Sequence, residues 1–496
     1  MSEIMYTSTR DANVHVTASQ AILQGLSKEG GLFVPESIPP LPCTMKEFAG
    51  MDYRRTAFHI MKAFLTDFTD EELRACIDGA YADQFDVPEK VPVVKAADSY
   101  YIELWHGPTI AFKDMALQIL PRLMTAAAAK QKLDREIVIL TATSGDTGKA
   151  ALAGFADVPG TKIIVFFPED GVSPVQKRQM VTQKGENTFV VGVRGNFDDC
   201  QTCVKQMFTD PEMTAALERK GYMFSSANSI NVGRLVPQVV YYVYACARLI
   251  AGGVLKDGEK ADVTVPTGNF GNILAAYMAK RMGAPIDRLI CASNENRVLT
   301  DFFDSGIYDR ERRFILTSSP SMDILISSNL ERMIYWISGN DAERCKALMK
   351  SLSEEGRYDI TDAMKSGLSD FAAGSASEEE VFSEIRRVFE SDHYLLDPHT
   401  AVASAVTAAY TASRGGSKPV LIASTASPYK FTRSVMNALG EAGDETDDFR
   451  LADSLSSLSG TPVPSAIKDI EHAPVLHTTV TDPEGMPSAV KNFLNV

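Results

Sequence analysis

Short apolar runs rich in β-branched residues recur along this chain, and each is followed by a small polar turn or a helix-like stretch. IVILTA (137–142) leads into SGDTG and KAALAGFA, KIIVFFP (162–168) precedes QKRQMVTQKG, and TFVVGV (188–193) precedes DDCQTCVKQMF. ADVTVP (261–266) precedes the loop TGNFGN and the helix-like ILAAYMAKRM, and DRLICAS (287–293) and KPVLIAST (418–425) continue the series. No other feature constrains the fold as tightly. Apolar runs that do not alternate with polar residues fit strands buried on both faces, and strands separated by helices pair in parallel. The expected class is α/β, with mainly parallel sheets covered on both sides.

The rhythm is interrupted, and the interruptions divide the chain. Residues 1–95 read as a mostly helical N-terminal domain, in which Thr69 is an N-cap and Glu72 its capping-box partner. Residues 96–230 read as a smaller α/β unit and 231–460 as a larger one, with a long helix near 235–250 and a polar, mostly helical insertion at about 300–390. Residues 461–496 form a C-terminal segment. The charge runs RERR (310–313) and SEEE (377–380) read as solvated faces.

With 496 residues and a formal net charge of −15, the chain is acidic, which argues against nucleic acid as a partner. The N-terminus lacks a basic stretch followed by an apolar run, and no run of about 18 apolar residues occurs, so neither a signal peptide nor a membrane span is expected. Seven scattered cysteines fit reduced thiols in a cytoplasmic protein. Cys200 and Cys203 form a lone C-x-x-C with no second ligand pair, which reads as a helix face rather than a zinc site, and no metal site is expected.

Two anchors stand out. Lys113 lies in HGPTIAFKD (106–114) beside Ile110, Ala111 and Phe112. A lysine there either snorkels or stays dry enough to act as an amine nucleophile. PTGNFGN (266–272) joins a strand to a helix, and Gly268 and Gly271, three apart, let the amides of Gly268, Asn269, Phe270, Gly271 and Asn272 curl around a phosphate. It is neither a Walker A loop nor a dinucleotide fingerprint. An amine for an aldehyde and amides for a phosphate are what pyridoxal phosphate requires.

Other strand-to-helix joints carry polar groups. Ser144, Asp146 and Thr147 in TSGDTG either cap a turn or receive a ligand end. Asn228, Ser229 and Arg234 in ANSINVGRLVPQ either cap a helix or form a second phosphate site, for substrate. Thr425 closes a late strand, where its hydroxyl could meet a pyridine nitrogen. Asp397, His399 and Thr400 stand before a helix and either cap it, with the histidine packed, or line the site; the structural role is the preferred reading.

With these residues in hand, the chain resembles the threonine synthases, fold-type II pyridoxal-phosphate enzymes related to the β subunit of tryptophan synthase. HGPTIAFKDMALQ, TATSGDTGKAA, NSINVGRLVPQ, PTGNFGN, SPSMDILISSNLER, DPHTAV and STASPYKF are similar to family motifs and follow the family's order across nearly the whole chain. The resemblance implies two parallel-rich α/β/α domains behind the N-terminal domain. It implies that Lys113 bonds the cofactor aldehyde, that Gly268–Asn272 hold the cofactor phosphate, that Thr425 faces the ring nitrogen and that Asp146 lies near the 3′ oxygen, sharing a proton with it. It places the phosphate of O-phospho-L-homoserine on Asn228, Ser229 and Arg234, and the other substrate end on Ser144–Thr147. The implied reaction is β,γ-elimination and replacement giving L-threonine and phosphate, the last step of threonine biosynthesis, by a lyase acting alone or as a homodimer. The alternatives are a phospho-lyase releasing 2-oxobutyrate, a non-catalytic pyridoxal-phosphate protein and a nucleotide-binding regulator.

Overall fold

The computed structural model describes residues 3–143, 145–414 and 418–496. Two parallel sheets organise it. The larger has six strands in the order Phe371–Ser375, Ile286–Ser293, Ala261–Pro266, Val420–Ser424, Ser99–Glu103, Val93–Ala96. All its pairings are parallel except the last, an antiparallel hairpin. The smaller has five strands, all parallel, in the order Thr479–Thr481, Thr188–Val193, Thr161–Pro168, Glu136–Ala142, Tyr222–Ser225. Every residue of Ala261–Pro266 and of Val420–Ser424 is buried, as two-sided cover by helices demands.

The helix Val232–Ala251 explains how the parts cohere. Seventeen of its 20 residues are buried, too many for a helix with one solvent face. It packs against Met45–Ala49 and Tyr53–Phe64 of the N-terminal region, and against Gly271–Met282 of the larger unit. The helix Asp70–Ala80 carries the expected Thr69–Glu72 capping box. Beside its helices the N-terminal region holds an antiparallel sheet of Asp11–Val16, Tyr6–Ser8 and Phe33–Pro35, strands too short to announce themselves by alternation.

Three boundaries differ from the sequence expectation. Ser99–Glu103, placed at the start of the smaller unit, pairs with Val420–Ser424 and so belongs to the larger sheet. The segment 300–390 is not purely an insertion, because Phe371–Ser375 forms the edge of the larger sheet. Residues 461–496 return to the smaller sheet: Thr479–Thr481 pairs with Thr188–Val193, and Phe493 stacks on Phe189 with ring centroids 4.6 Å apart. All three are pairings between segments distant in sequence, which local pattern cannot encode. SEEE is a solvated face only in part: Glu379 and Glu380 are exposed, while Ser377 caps the helix Glu378–Asp392 and Glu378 accepts the Ser318 amide at 3.0 Å. Cys200 and Cys203 are both buried on the helix Phe197–Thr209, as a helix face requires. Among the described residues, no helix is long and apolar enough to cross a membrane.

Candidate active site

Both sheets carry candidate residues beyond the carboxyl ends of their strands, where open α/β sheets bind ligands: Lys113, Gly268–Asn272 and Thr425 follow strands of the larger, Asp146 and Arg234 strands of the smaller. Beyond Ser99–Glu103 the chain turns through Ile110, a non-glycine residue at φ +51°. Asp114 holds this turn by accepting the Thr109 amide at 2.8 Å and hydroxyl at 2.7 Å. The turn is stitched to the end of Val420–Ser424: the Phe112 amide donates to the Thr425 carbonyl at 2.8 Å, and Ser427 N–H to the Ile110 carbonyl at 3.0 Å. Lys113 therefore stands beside Thr425, whose side chain is buried.

The Lys113 side chain is 11% exposed, and its Nζ reaches Asp146 Oδ2 at 3.4 Å and Ser321 Oγ at 3.2 Å. Burial pushes the amine below its ordinary value; Asp146 opposes the shift, and the charges of Lys430 and Arg234 add to it. Of the two readings of Lys113, the dry amine is the observed one.

Asp146 opens the helix Asp146–Phe155 after Gly145, whose φ of +138° suits only glycine. Thr143 Oγ1 fixes the preceding turn by accepting the amides of Gly145 and Gly148 at 3.0 and 2.9 Å. The carboxylate meets four side chains: Lys113 and Ser321 on Oδ2, and Gln176 (2.9 Å) and Lys430 (3.3 Å) on Oδ1. Burial pushes this carboxyl up, but Lys430, Lys113, His399 and the Gln176 bond outweigh it and hold it well below the usual carboxylate range. In these surroundings Lys430 and Lys113 favour the carboxylate anion. Thr147 is half-buried, and Ser144 lies outside the described residues.

The cradle lies between Ala261–Pro266 and the helix Gly271–Met282, with Phe270 left-handed at φ +63° in the N-cap position. A Cβ on Gly268 would lie 2.6 Å from the Ser321 carbonyl, so only glycine fits. Asn269 is exposed, while Phe270, Gly271 and Asn272 are buried. Asn272 Oδ1 accepts the hydroxyls of Tyr241 and Tyr242, each at 2.6 Å, which orients the amide and leaves Nδ2 buried with no partner. Asn329 Nδ2 is likewise buried without a partner, 3.3 Å from where a Gly271 Cβ would sit. Orphaned buried donors beside a helix N-terminus fit an anion such as the phosphate of pyridoxal phosphate.

Arg234, in the first turn of Val232–Ala251, is 3% exposed. Its Nη1 donates to the Ala227 carbonyl at 3.1 Å, its Nε has no partner, and burial lowers its pKa to about 10. Among the described residues it forms no ion pair. Asn228 is exposed and Ser229 half-buried on the loop leading to it.

Sequence reasoning missed Ser321, Lys430, Gln176 and Asn329. Ser321 and Asn329 stand in SPSMDILISSNLER and Lys430 in STASPYKF, stretches singled out without assigning roles to these residues; Gln176 carried no signal. His399 proves more than packing: its Nδ1 bonds Asp397 at 2.9 Å, and its Nε2 accepts the Ser321 amide at 3.2 Å, so the Asp397 cap supports the Ser321 loop.

Three family models match the chain: "Threonine synthase N terminus" over residues 5–81, "Pyridoxal-phosphate dependent enzyme" over 98–425, and "Threonine synthase, C-terminal" over 400–493. Threonine synthase-like 1 of Homo sapiens is 42% identical over 436 residues, covering 85% of this chain and 58% of that protein, so the chain spans little more than half the length of such relatives. The structure of pyridoxal-phosphate-bound threonine synthase from Brucella melitensis is 35% identical with a TM-score of 0.85, covering 99% of this chain and 100% of that one. The yeast threonine synthase structure is 32% identical with a TM-score of 0.88, covering 99% of each chain.

Proposed function

The chain belongs to the threonine synthase family of pyridoxal-phosphate-dependent enzymes, and on that premise we propose that it is a lyase converting O-phospho-L-homoserine and water to L-threonine and phosphate. The observation that carries the substrate assignment is Arg234: a buried guanidinium with an unpaired Nε and no carboxylate partner among the described residues suits a phosphorylated substrate. A substrate without an anionic tail gives no reason to bury it there.

Lys113 would hold the cofactor aldehyde and Gly268–Asn272 its phosphate, while Thr425 would serve its ring nitrogen and Asp146 its 3′ oxygen. The cofactor, when bound, withdraws electrons from the bonds at the substrate's Cα. Lys113, dry and with its basicity depressed, takes the Cα proton and can return it. Arg234, Asn228 and Ser229 bind the substrate phosphate, and Ser144 and Thr147 the other end. Over the cycle Cγ exchanges phosphate for a proton, and Cβ exchanges a proton for the hydroxyl of water. The Thr425 hydroxyl cannot protonate a pyridine nitrogen as a carboxylic acid would, which disfavours the long-lived carbanions that lead to transamination.

The test is an assay with O-phosphohomoserine that measures phosphate, threonine and 2-oxobutyrate. Threonine in equal amount to phosphate supports the proposal. 2-Oxobutyrate in its place means that the enamine escapes before water adds at Cβ. Absence of phosphate release overturns both.

A further inference from the structure

The segment Ser327–Arg332 wraps the phosphate cradle from outside the strand-to-helix joint. Ser327 Oγ donates to the Gly268 carbonyl at 2.7 Å, and the Asn329 amide to the Asn269 carbonyl at 3.1 Å. Asn329 is fully buried. Its Oδ1 accepts a bond from Arg332 Nη1, so its Nδ2 is the end turned toward Gly271, where it finds no protein acceptor. A buried amide N–H without a partner is costly, and native proteins rarely leave one so without a ligand or water.

Arg332 is itself fully buried. Its Nε donates to the Phe33 carbonyl at 2.8 Å and its Nη2 to the Ile230 carbonyl at 2.5 Å. Neighbouring Glu331 binds Arg10 through two bonds, 2.8 and 2.6 Å, and accepts the Thr9 hydroxyl at 2.5 Å. One guanidinium therefore joins the N-terminal region, the loop that leads to Arg234, and the side chain beside the cradle.

We propose that Asn329 is a side-chain donor to the cofactor phosphate, held in that orientation by Arg332 as a positioning residue anchored on the N-terminal region. The inference rests on the reading of Gly268–Asn272 as the cofactor-phosphate site. It gives residues 1–95 a task at the active site: they fix the guanidinium that fixes the amide.

The experiment titrates apo-protein with pyridoxal phosphate and with pyridoxal, which lacks the phosphate, and reads the dissociation constant for pyridoxal divided by that for pyridoxal phosphate. Asn329→Asp is nearly isosteric and keeps an acceptor for Arg332, so it preserves the fold while replacing the donor by an anion. Its ratio is expected to fall about a hundredfold, and that of Asn329→Ala about tenfold, with pyridoxal affinity unchanged in both. Arg332→Lys is expected to lower the ratio like Asn329→Ala, and the two changes combined to lower it no further than either alone. Wild-type ratios in both Asn329 variants overturn the inference. A wild-type ratio near one in the unmodified protein overturns the cradle reading itself and the inference with it.

Discussion

Asp146 and Lys430 form a buried ion pair, with Oδ1 and Nζ 3.3 Å apart and the lysine side chain wholly excluded from solvent. Lys430 also donates to the Thr109 carbonyl at 2.9 Å, so a single ammonium ties the turn that carries Lys113 to the carboxylate that Lys113 faces. Removing Lys430 leaves the buried Asp146 carboxylate with Lys113 as its remaining cationic partner among the described residues. Lys430→Met is expected to lower unfolding free energy by about 3–5 kcal/mol, and adding Asp146→Asn is expected to recover most of it. Urea unfolding of the four proteins checks this; strictly additive losses would show that the pair carries no coupling.

Lys113→Ala is expected to abolish the visible band that the bound cofactor owes to its bond with this amine. Turnover should fall by roughly a hundred- to ten-thousandfold, as when a positioned acid–base group is removed. Arginine at this position keeps the charge and cannot form the bond, so Lys113→Arg should behave alike. An unaltered absorption spectrum in either variant contradicts the role given to Lys113.

The fold was legible where strands are long and apolar. The strands Ala261–Pro266 and Thr188–Val193 coincide with the runs read from sequence, because burial on both faces leaves a continuous apolar stretch. Strand partners were not legible: Ser99–Glu103 lies next to Val420–Ser424, more than 300 positions along the chain, and no local signal encodes that adjacency. The site divides in the same way. Lys113 and Gly268–Asn272 advertise themselves by unusual local chemistry. Ser321, Lys430 and Asn329 look ordinary in their own segments and acquire meaning only from what the fold sets opposite them.

Arg234 makes a prediction of two signs. Its guanidinium is buried beside a single carbonyl partner and without a counter-charge among the described residues, so it costs the ligand-free protein stability. Arg234→Met is expected to raise the stability of that protein by about 1–3 kcal/mol. The same change should weaken transition-state binding of the phosphorylated substrate by about 2–5 kcal/mol, read from kcat/KM. A variant that is less stable and fully active would remove Arg234 from the substrate site.

A methyl group on Gly268 would lie 2.6 Å from the Ser321 carbonyl, which is backbone and cannot swing aside. Gly268→Ala must therefore displace either the cradle or the loop that brings Ser321 to Lys113 and Asp146. The expected result is a folded protein destabilised by about 1–3 kcal/mol with cofactor affinity at least about tenfold weaker. Gly271→Ala meets side chains rather than backbone, Asn329 at 3.3 Å and Gln238 at 4.0 Å, and should be milder. Equal affinities in the two variants would show that the contact with Ser321 does not shape the site.

His106 begins the stretch that carries the lysine, and its ring lies between two carboxylates: Nδ1 meets Asp86 at 2.6 Å and Nε2 meets Glu103 at 2.9 Å. Burial alone would lower its pKa, but the two acidic partners outweigh it and raise the value to about 9. A histidine held above its ordinary pKa stabilises the fold fully below pH about 6.5, and loses that contribution as pH rises through about 9. The shift corresponds to an upper limit on the order of 3 kcal/mol. Urea unfolding between pH 6 and 10 should therefore show the wild-type advantage over His106→Gln shrinking, most of it between pH 7 and 9. Asp114, which burial raises to about 6, loses its own stabilising contribution below that window and in both proteins alike, so the difference between them isolates the imidazolium. Parallel stability curves across the range would mean that His106 does not stand protonated between its two acids.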